Sequence, residues 1–359
     1  MSTRIPPAGF KGRGALANPA NRFDRVHTDN IDDGWFQDEL PASIATELIV
    51  DTTRSIIARN DSPDIVFDQS INPYRGCSHG CIFCFARPSH AFLGFSPGLD
   101  FETRLVYKPH AAALLREELA NPRYVCKPIM LGSNTDPYQP VEKELRITRS
   151  ILEVLAETRH PVMITTRSTF LLRDLDLLAP MAAQGLTSVV YSITTFDHDL
   201  KRRLEPRSAA SLARLAAIRE LRAAGVPVGV LAAPLIPAVN DSELEEILQR
   251  SAEAGATDAG YVLLRLPLEV AELFRQWLAT HMPDRADHVL SLLRETHGGK
   301  EASNAFGERM RGSGAWASLL RDRFRLACRK YGLATGYGVP LDATRFRPPA
   351  QAGQIGLDF

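Results

Sequence analysis

From residue 69 onward, short apolar runs alternate with longer stretches in which apolar residues recur every three or four positions. The short runs are β-branched or bounded by turn formers. They predict strands at residues 69–74, 128–132, 162–166, 188–194, 226–232 and 259–266. The longer stretches predict amphipathic helices at 109–120, 141–158, 170–184, 209–224, 242–254 and 269–280. Gly185, Gly225 and Gly255 follow three of these helices, where a chain leaving a helix most often places glycine. Strand–helix units in series, joined by right-handed crossovers, predict a parallel α/β sheet that curls toward a barrel. Periodicity alone fits a flat doubly wound sheet equally well.

The flanks differ from this rhythm. Residues 1–67 begin rich in Gly, Pro and Asn without a clean period, and read as an extended arm lying over a core of 68–283. Residues 284–359 read as a helical extension with helices near 287–295 and 316–331. In the second, Leu319, Leu320, Phe324, Leu326 and Ala327 suggest an apolar stripe that packs on the core.

Composition adds little that is unusual: 359 residues, 45% hydrophobic and 23% charged, suit a globular α/β protein. No apolar run approaches the roughly 20 residues of a membrane span, so no membrane partner is expected. The first residues lack the apolar core of a signal peptide. Five cysteines, an odd number with three in one loop, argue for a reducing cytoplasm rather than a disulfide framework. A net charge of zero hides segregation. Arg4, Lys11, Arg13, Arg22 and Arg25 face only Asp24 in the first 26 residues. From Asn30 to Leu48, Asp32, Asp33, Asp38, Glu39 and Glu47 stand without a base. Near the end, Arg309, Arg311, Arg321, Arg323, Arg325, Arg329 and Lys330 stand against Glu308 and Asp322. Such basic stretches suit a nucleic-acid backbone, and equally a solvated helix face.

The chemistry concentrates at Cys77, Cys81 and Cys84, within Asn72-Pro-Tyr-Arg-Gly-Cys77 and Cys84-Phe-Ala-Arg87. A [4Fe–4S] cube held only by protein takes four thiolates, and no fourth cysteine is nearby. Three leave one iron open to an outside ligand, as radical chemistry on S-adenosylmethionine (SAM) requires. Zinc completed by His79 and three inert thiols are the competing readings; in the first, the loop would have to fold back sharply. Two leftover cysteines, Cys126 and Cys328, cannot hold a second four-thiolate cluster.

In these residues the chain resembles the radical SAM superfamily, whose signature C-x3-C-x-φ-C has an aromatic φ, here Phe83. The flanking residues resemble more narrowly its spore photoproduct lyase-related, DNA repair photolyase-like branch. Lys11-Gly-Arg-Gly-Ala15, Asp32-Asp-Gly-Trp35 and Arg309-Met-Arg-Gly-Ser-Gly314 look typical of one subfamily.

The resemblance implies a (β/α)6 partial TIM barrel with a lateral opening. It also implies an enzyme that cleaves SAM reductively to a 5′-deoxyadenosyl radical, which takes hydrogen from a substrate, with nucleic acid one candidate. An external electron donor of flavodoxin or ferredoxin type is implied as partner. The different-class alternative is a non-enzymatic metal-binding or redox-sensing protein.

By the same resemblance, SAM contacts are expected at strand ends, where barrel sites form. Ser133, Asn134, Thr135 and Asp136 would grip the methionyl amine, although a helix cap explains them too. Arg167 would pair with the carboxylate, its guanidinium offering a fork. Ser192 and Thr194, on one strand face, would meet the ribose or carboxylate. Glu205 and Arg207 would shape the pocket, and Val230 and Leu264 would flank the adenine. The segment after the second strand carries no cysteine, so thymine-dimer reversal by a cysteine hydrogen donor placed there is not expected.

Overall fold

In the computed structural model, which describes residues 10–24, 43–303, 305–336 and 338–349, the six expected strands form the centre of one open sheet. They are β1 (Gln69–Ile71), β2 (Ile129–Leu131), β3 (Val162–Thr166), β4 (Thr187–Ile193), β5 (Val228–Leu235) and β6 (Asp258–Leu263). All six run parallel, in sequence order across the sheet. Ile57–Arg59 adds an antiparallel edge beside β1, and Ala334–Thr335 a parallel edge beside β6. These two edges do not pair with each other, so the barrel stays open. The architecture is the expected α/β partial barrel.

The longer helices are α1 (Ala111–Leu119), α2 (Ile147–Glu157), α3 (Leu175–Ala183), α4 (Ser211–Ala223), α5 (Leu244–Glu253), α6 (Glu269–His281), α7 (Ala286–Thr296) and α8 (Gly314–Tyr331), and shorter ones span Asp100–Thr103, Glu142–Leu145 and His198–Leu204. Between strands and helices lies a core that includes Ile71, Leu131, Ile164, Val189, Tyr191, Val228 and Val230, all fully buried. Burying such side chains supplies roughly 1.5–3 kcal/mol each before entropy is counted, so this layer is the main source of stability.

Three local differences have physical causes. The first strand ends at Ile71 rather than 74, because Pro73 has no N–H to continue a ladder. Tyr74–Arg75 instead pairs with Arg104–Tyr107, which also pairs with Glu47–Val50, in a separate small sheet. The helix expected over 141–158 breaks at Arg146 (φ 51°), and the Glu142 carboxylate accepts the Thr148 amide at 3.0 Å, capping α2. In α8, Leu319 and Leu326 are exposed, and the buried stripe is Ala317, Leu320, Phe324, Ala327 and Cys328. The Asp32–Trp35 motif, Arg4, Arg25 and the acids from Asp32 to Glu39 lie outside the described residues.

Candidate active site

The cysteine loop leaves β1 at the carboxyl ends of the strands and is fastened from several sides. Cys77 N donates to Phe101 O (2.8 Å), Ser78 N to Gln139 Oε1 (2.9 Å), Ile82 N to Leu204 O (3.0 Å) and Arg207 N to His79 O (3.2 Å). Beneath it lies Arg87, fully buried, whose Nε donates to Cys81 O (3.0 Å) and Nη1 to Gly98 O (2.9 Å). Its Nη2 pairs with Glu102, equally buried, and Glu102 accepts the amides of Gly14 (2.9 Å) and Ala15 (2.8 Å). One carboxylate therefore joins the Lys11–Ala15 and Cys84–Arg87 motifs.

Cys77, Cys81 and Cys84 line one cavity of about 460 Å3, together with Phe83, Ser133, Asn134, Thr135, Asp136, Arg167 and Ser192. Asn72 shapes the loop after β2: its amide donates to Ser133 Oγ (3.0 Å), and its oxygen accepts the amides of Asn134 (2.9 Å) and Thr135 (3.2 Å). Thr135 Oγ1 is spent on Tyr74 O at 2.8 Å. Asp136 accepts from Thr166 Oγ1 (2.8 Å), from Arg167 N (2.7 Å) and lies 3.3 Å from His79 Nδ1. Burial works against charge on His79, but Asp136 and Cys77 raise its pKa to about 10. Burial disfavours the Asp136 carboxylate, yet His79 and its donors hold its pKa below the ordinary value.

Arg167, at the end of β3, donates to Glu205 Oε2 (3.0 Å) and Ala233 O (2.9 Å), with its guanidinium 5.6 Å from the centre of the Phe83 ring. Burial lowers its pKa, but Cys81 and Glu205 outweigh that and raise it. Thus the cation is fixed beside the thiols. Burial raises the Cys81 and Cys84 thiols, opposed by Arg167 at Cys81 and by Arg87 at Cys84.

Three expected contacts do not line the cavity. Thr194 is fully buried, with its Oγ1 spent on Ala233 O (3.0 Å). Glu205 is fully buried between Arg167 and Arg214 (2.5 Å), so it positions the cation from behind. Arg207 is exposed, with its side chain 3.8 Å from the place of a Cβ on Gly12, because its loop runs under the arm. Val230 and Leu264 are likewise core residues, and Leu231, Val262 and Leu263 face the cavity instead. Cys126 is half-buried at about 12, raised by burial.

The cavity is also lined by residues that strand-end reasoning missed: Phe85, Arg265, Arg309 and Met310. Arg309 is paired with Asp64 at 2.5 Å. Arg265 stands 5.5 Å from the Phe85 ring centre and joins no ion pair among the described residues. Burial, and then Arg309, lower its pKa.

The sequence profile of the Radical SAM superfamily matches residues 71–250. The chain belongs to the radical SAM superfamily. Uncharacterized proteins of Mycobacterium bovis and Mycobacterium tuberculosis are each 40% identical to it over 292 residues, covering 78% of this chain and 82% of theirs. Among solved structures, spore photoproduct lyase complexed with dinucleoside spore photoproduct superposes with a TM-score of 0.58 at 18% identity, over 80% of this chain and 81% of that one. A mutant of that lyase with bound AdoMet and the dinucleoside gives 0.57 at 17%, over 81% and 82%. At such identity the likeness is one of fold. As a radical SAM enzyme the protein is expected to carry an iron–sulfur cluster and SAM, and the residues present fit both. Three free thiols face one cavity beside a fixed arginine, and the polar ends of β2, β3 and β4 border it.

Proposed function

We propose that Cys77, Cys81 and Cys84 hold a [4Fe–4S] cluster and that SAM occupies the adjoining cavity, with nucleic acid as substrate. When bound, these cofactors supply a reductively generated 5′-deoxyadenosyl radical that takes hydrogen from a substrate carbon. The observation that carries this reading is the sharing of a single cavity by three thiols, Arg167 and the ends of β2 to β4.

The chain's own part is placement. Arg167, braced by Glu205, presents a cation to the SAM carboxylate, while Ser133, Asn134 and Ser192 offer polar groups to the amine and ribose. Asp136 and Thr135 act through the loop they hold. Phe83, Leu231 and Val262 keep the cavity apolar, which excludes water from a reactive carbon. Arg265 and Met310 line the same cavity and would meet substrate there.

The lyase solved with a dinucleoside has this fold, and its substrate class is the one taken here. A flavodoxin- or ferredoxin-type protein would deliver the electron, in the reducing cytoplasm that free thiols require. Anaerobic reconstitution with reductant and SAM should yield 5′-deoxyadenosine, and Cys84→Ala should abolish it. Failure with an intact, reducible cluster would overturn the proposal.

A further inference from the structure

A second cavity, of about 500 Å3, lies beside α8 and is lined by Arg311, Arg321, Arg325 and Arg329, with Phe324 and Cys328. Successive residues of β6 face opposite ways: Val262 lines the catalytic cavity, while the Tyr261 ring packs 4.8 Å from Phe324 of α8. None of these four arginines joins an ion pair among the described residues. The neighbouring Arg323 is different, since its Nε and Nη2 meet both Glu245 oxygens at 2.8 and 2.6 Å. Asp322 lies in the same turn and pairs with none of the four. Among the described residues, Arg321 donates only to Ser318 Oγ (3.0 Å).

Spacing tells what such a groove suits. Arg321, Arg325 and Arg329 are four residues apart on one helix, so they form a stripe with about 6 Å between neighbours. Like charges at that spacing destabilise a helix unless an anion offsets them. A single phosphate cannot reach both ends of a stripe about 12 Å long, whereas a chain of phosphates can. Arg311 lines the groove with its guanidinium 5.5 Å from the Tyr261 ring centre, and the buried Tyr261 hydroxyl has no partner among the described residues.

The groove also adjoins the catalytic cavity. Arg309 and Met310 line the cavity, the next residue Arg311 lines the groove, and Leu263 N donates to Met310 O (2.9 Å), fastening this segment to β6. The subfamily-like Arg309–Gly314 motif therefore contributes to both linings, through Arg309 and Met310 on one side and Arg311 on the other.

We propose that this groove docks the phosphate backbone of a nucleic-acid strand beside the catalytic cavity. The docking serves the nucleic-acid reading above, but it is measured without turnover. Fluorescence anisotropy with labelled strands of about 12 nucleotides, DNA and RNA in separate arms, is the test. Wild type should bind at least one, with affinity falling steeply as salt rises. Arg325→Ala/Arg329→Ala, changed only at exposed positions, should bind about 10- to 100-fold more weakly at low salt, with a log–log salt slope shallower by about 1.4. Arg325→Lys/Arg329→Lys should keep most of the binding. Wild-type affinity and slope in the alanine double variant would overturn the proposal. So would tight binding of tripolyphosphate or of an acidic peptide with none of either oligonucleotide. Cys84→Ala should bind strands like wild type while forming no 5′-deoxyadenosine, so a failure of docking and a failure of the catalytic reading are told apart.

Discussion

A Cβ on Gly14 would stand 1.9 Å from the carbonyl oxygen of Gly80, so the arm rests backbone on backbone against the cysteine loop. Neither side can yield cheaply, because the Gly14 and Ala15 amides are also held by Glu102. Gly14→Ala should push the arm off the loop, at a cost of about 1–3 kcal/mol. Iron retained per chain after reconstitution should fall with it. Unchanged melting temperature and iron content would show that the arm does not support the site.

The Arg87–Glu102 pair should be among the most sensitive in the molecule. Both side chains are fully buried, and losing one charge leaves the other unpaired in a low dielectric. Glu102→Gln should destabilise by about 3–5 kcal/mol in denaturant unfolding. The exposed pair Arg116–Glu157 offers the contrast, since breaking it should cost about 1 kcal/mol or less. Similar losses at the two sites would refute the central role of Glu102.

Much of this was legible because parallel strands buried on both faces read as apolar runs, and barrel sites form where those runs end. Cys77, Ser133, Arg167 and Ser192 could be placed that way. Val230 and Leu264 could not, because a shift of one residue turns a strand's side chains to the other face. Thr194 and Arg207 sit just past strand and helix boundaries, where the path of the loop decides direction. Arg87, Glu102 and Asn72 were invisible as a network: Glu102 meets Gly14 across 88 residues, and no local pattern encodes such a partner.

Arg167 gives a direct test of the SAM assignment. Its guanidinium uses Nε for Glu205 and Nη2 for Ala233 O, a geometry that a lysine ammonium cannot copy. A charge-assisted hydrogen bond is worth about 1.5–3 kcal/mol, so Arg167→Lys should weaken SAM binding roughly 10- to 100-fold. Equilibrium binding to the reconstituted protein measures this, with iron content expected to stay constant. A wild-type dissociation constant would remove Arg167 from the cofactor contacts.

His160 should make stability depend on pH far from the site. It is fully buried, with Nε2 2.7 Å from the Tyr124 hydroxyl and Nδ1 3.0 Å from Pro161 O. Burial lowers its pKa to about 4, only partly offset by the Pro161 carbonyl. Below the unfolded value near 6.5 the unfolded chain takes up the proton first, so stability falls as pH drops from about 6.5 toward 4. Between pH 7 and pH 5 the loss from this residue should be about 2 kcal/mol. His90, buried and also lowered to about 4, acts with the same sign, so the wild-type slope alone is not diagnostic. His160→Asn should be less stable at pH 7 yet lose less on acidification, as denaturant midpoints at the two pH values would show. Equal losses in the two proteins would mean that His160 is not the group that titrates.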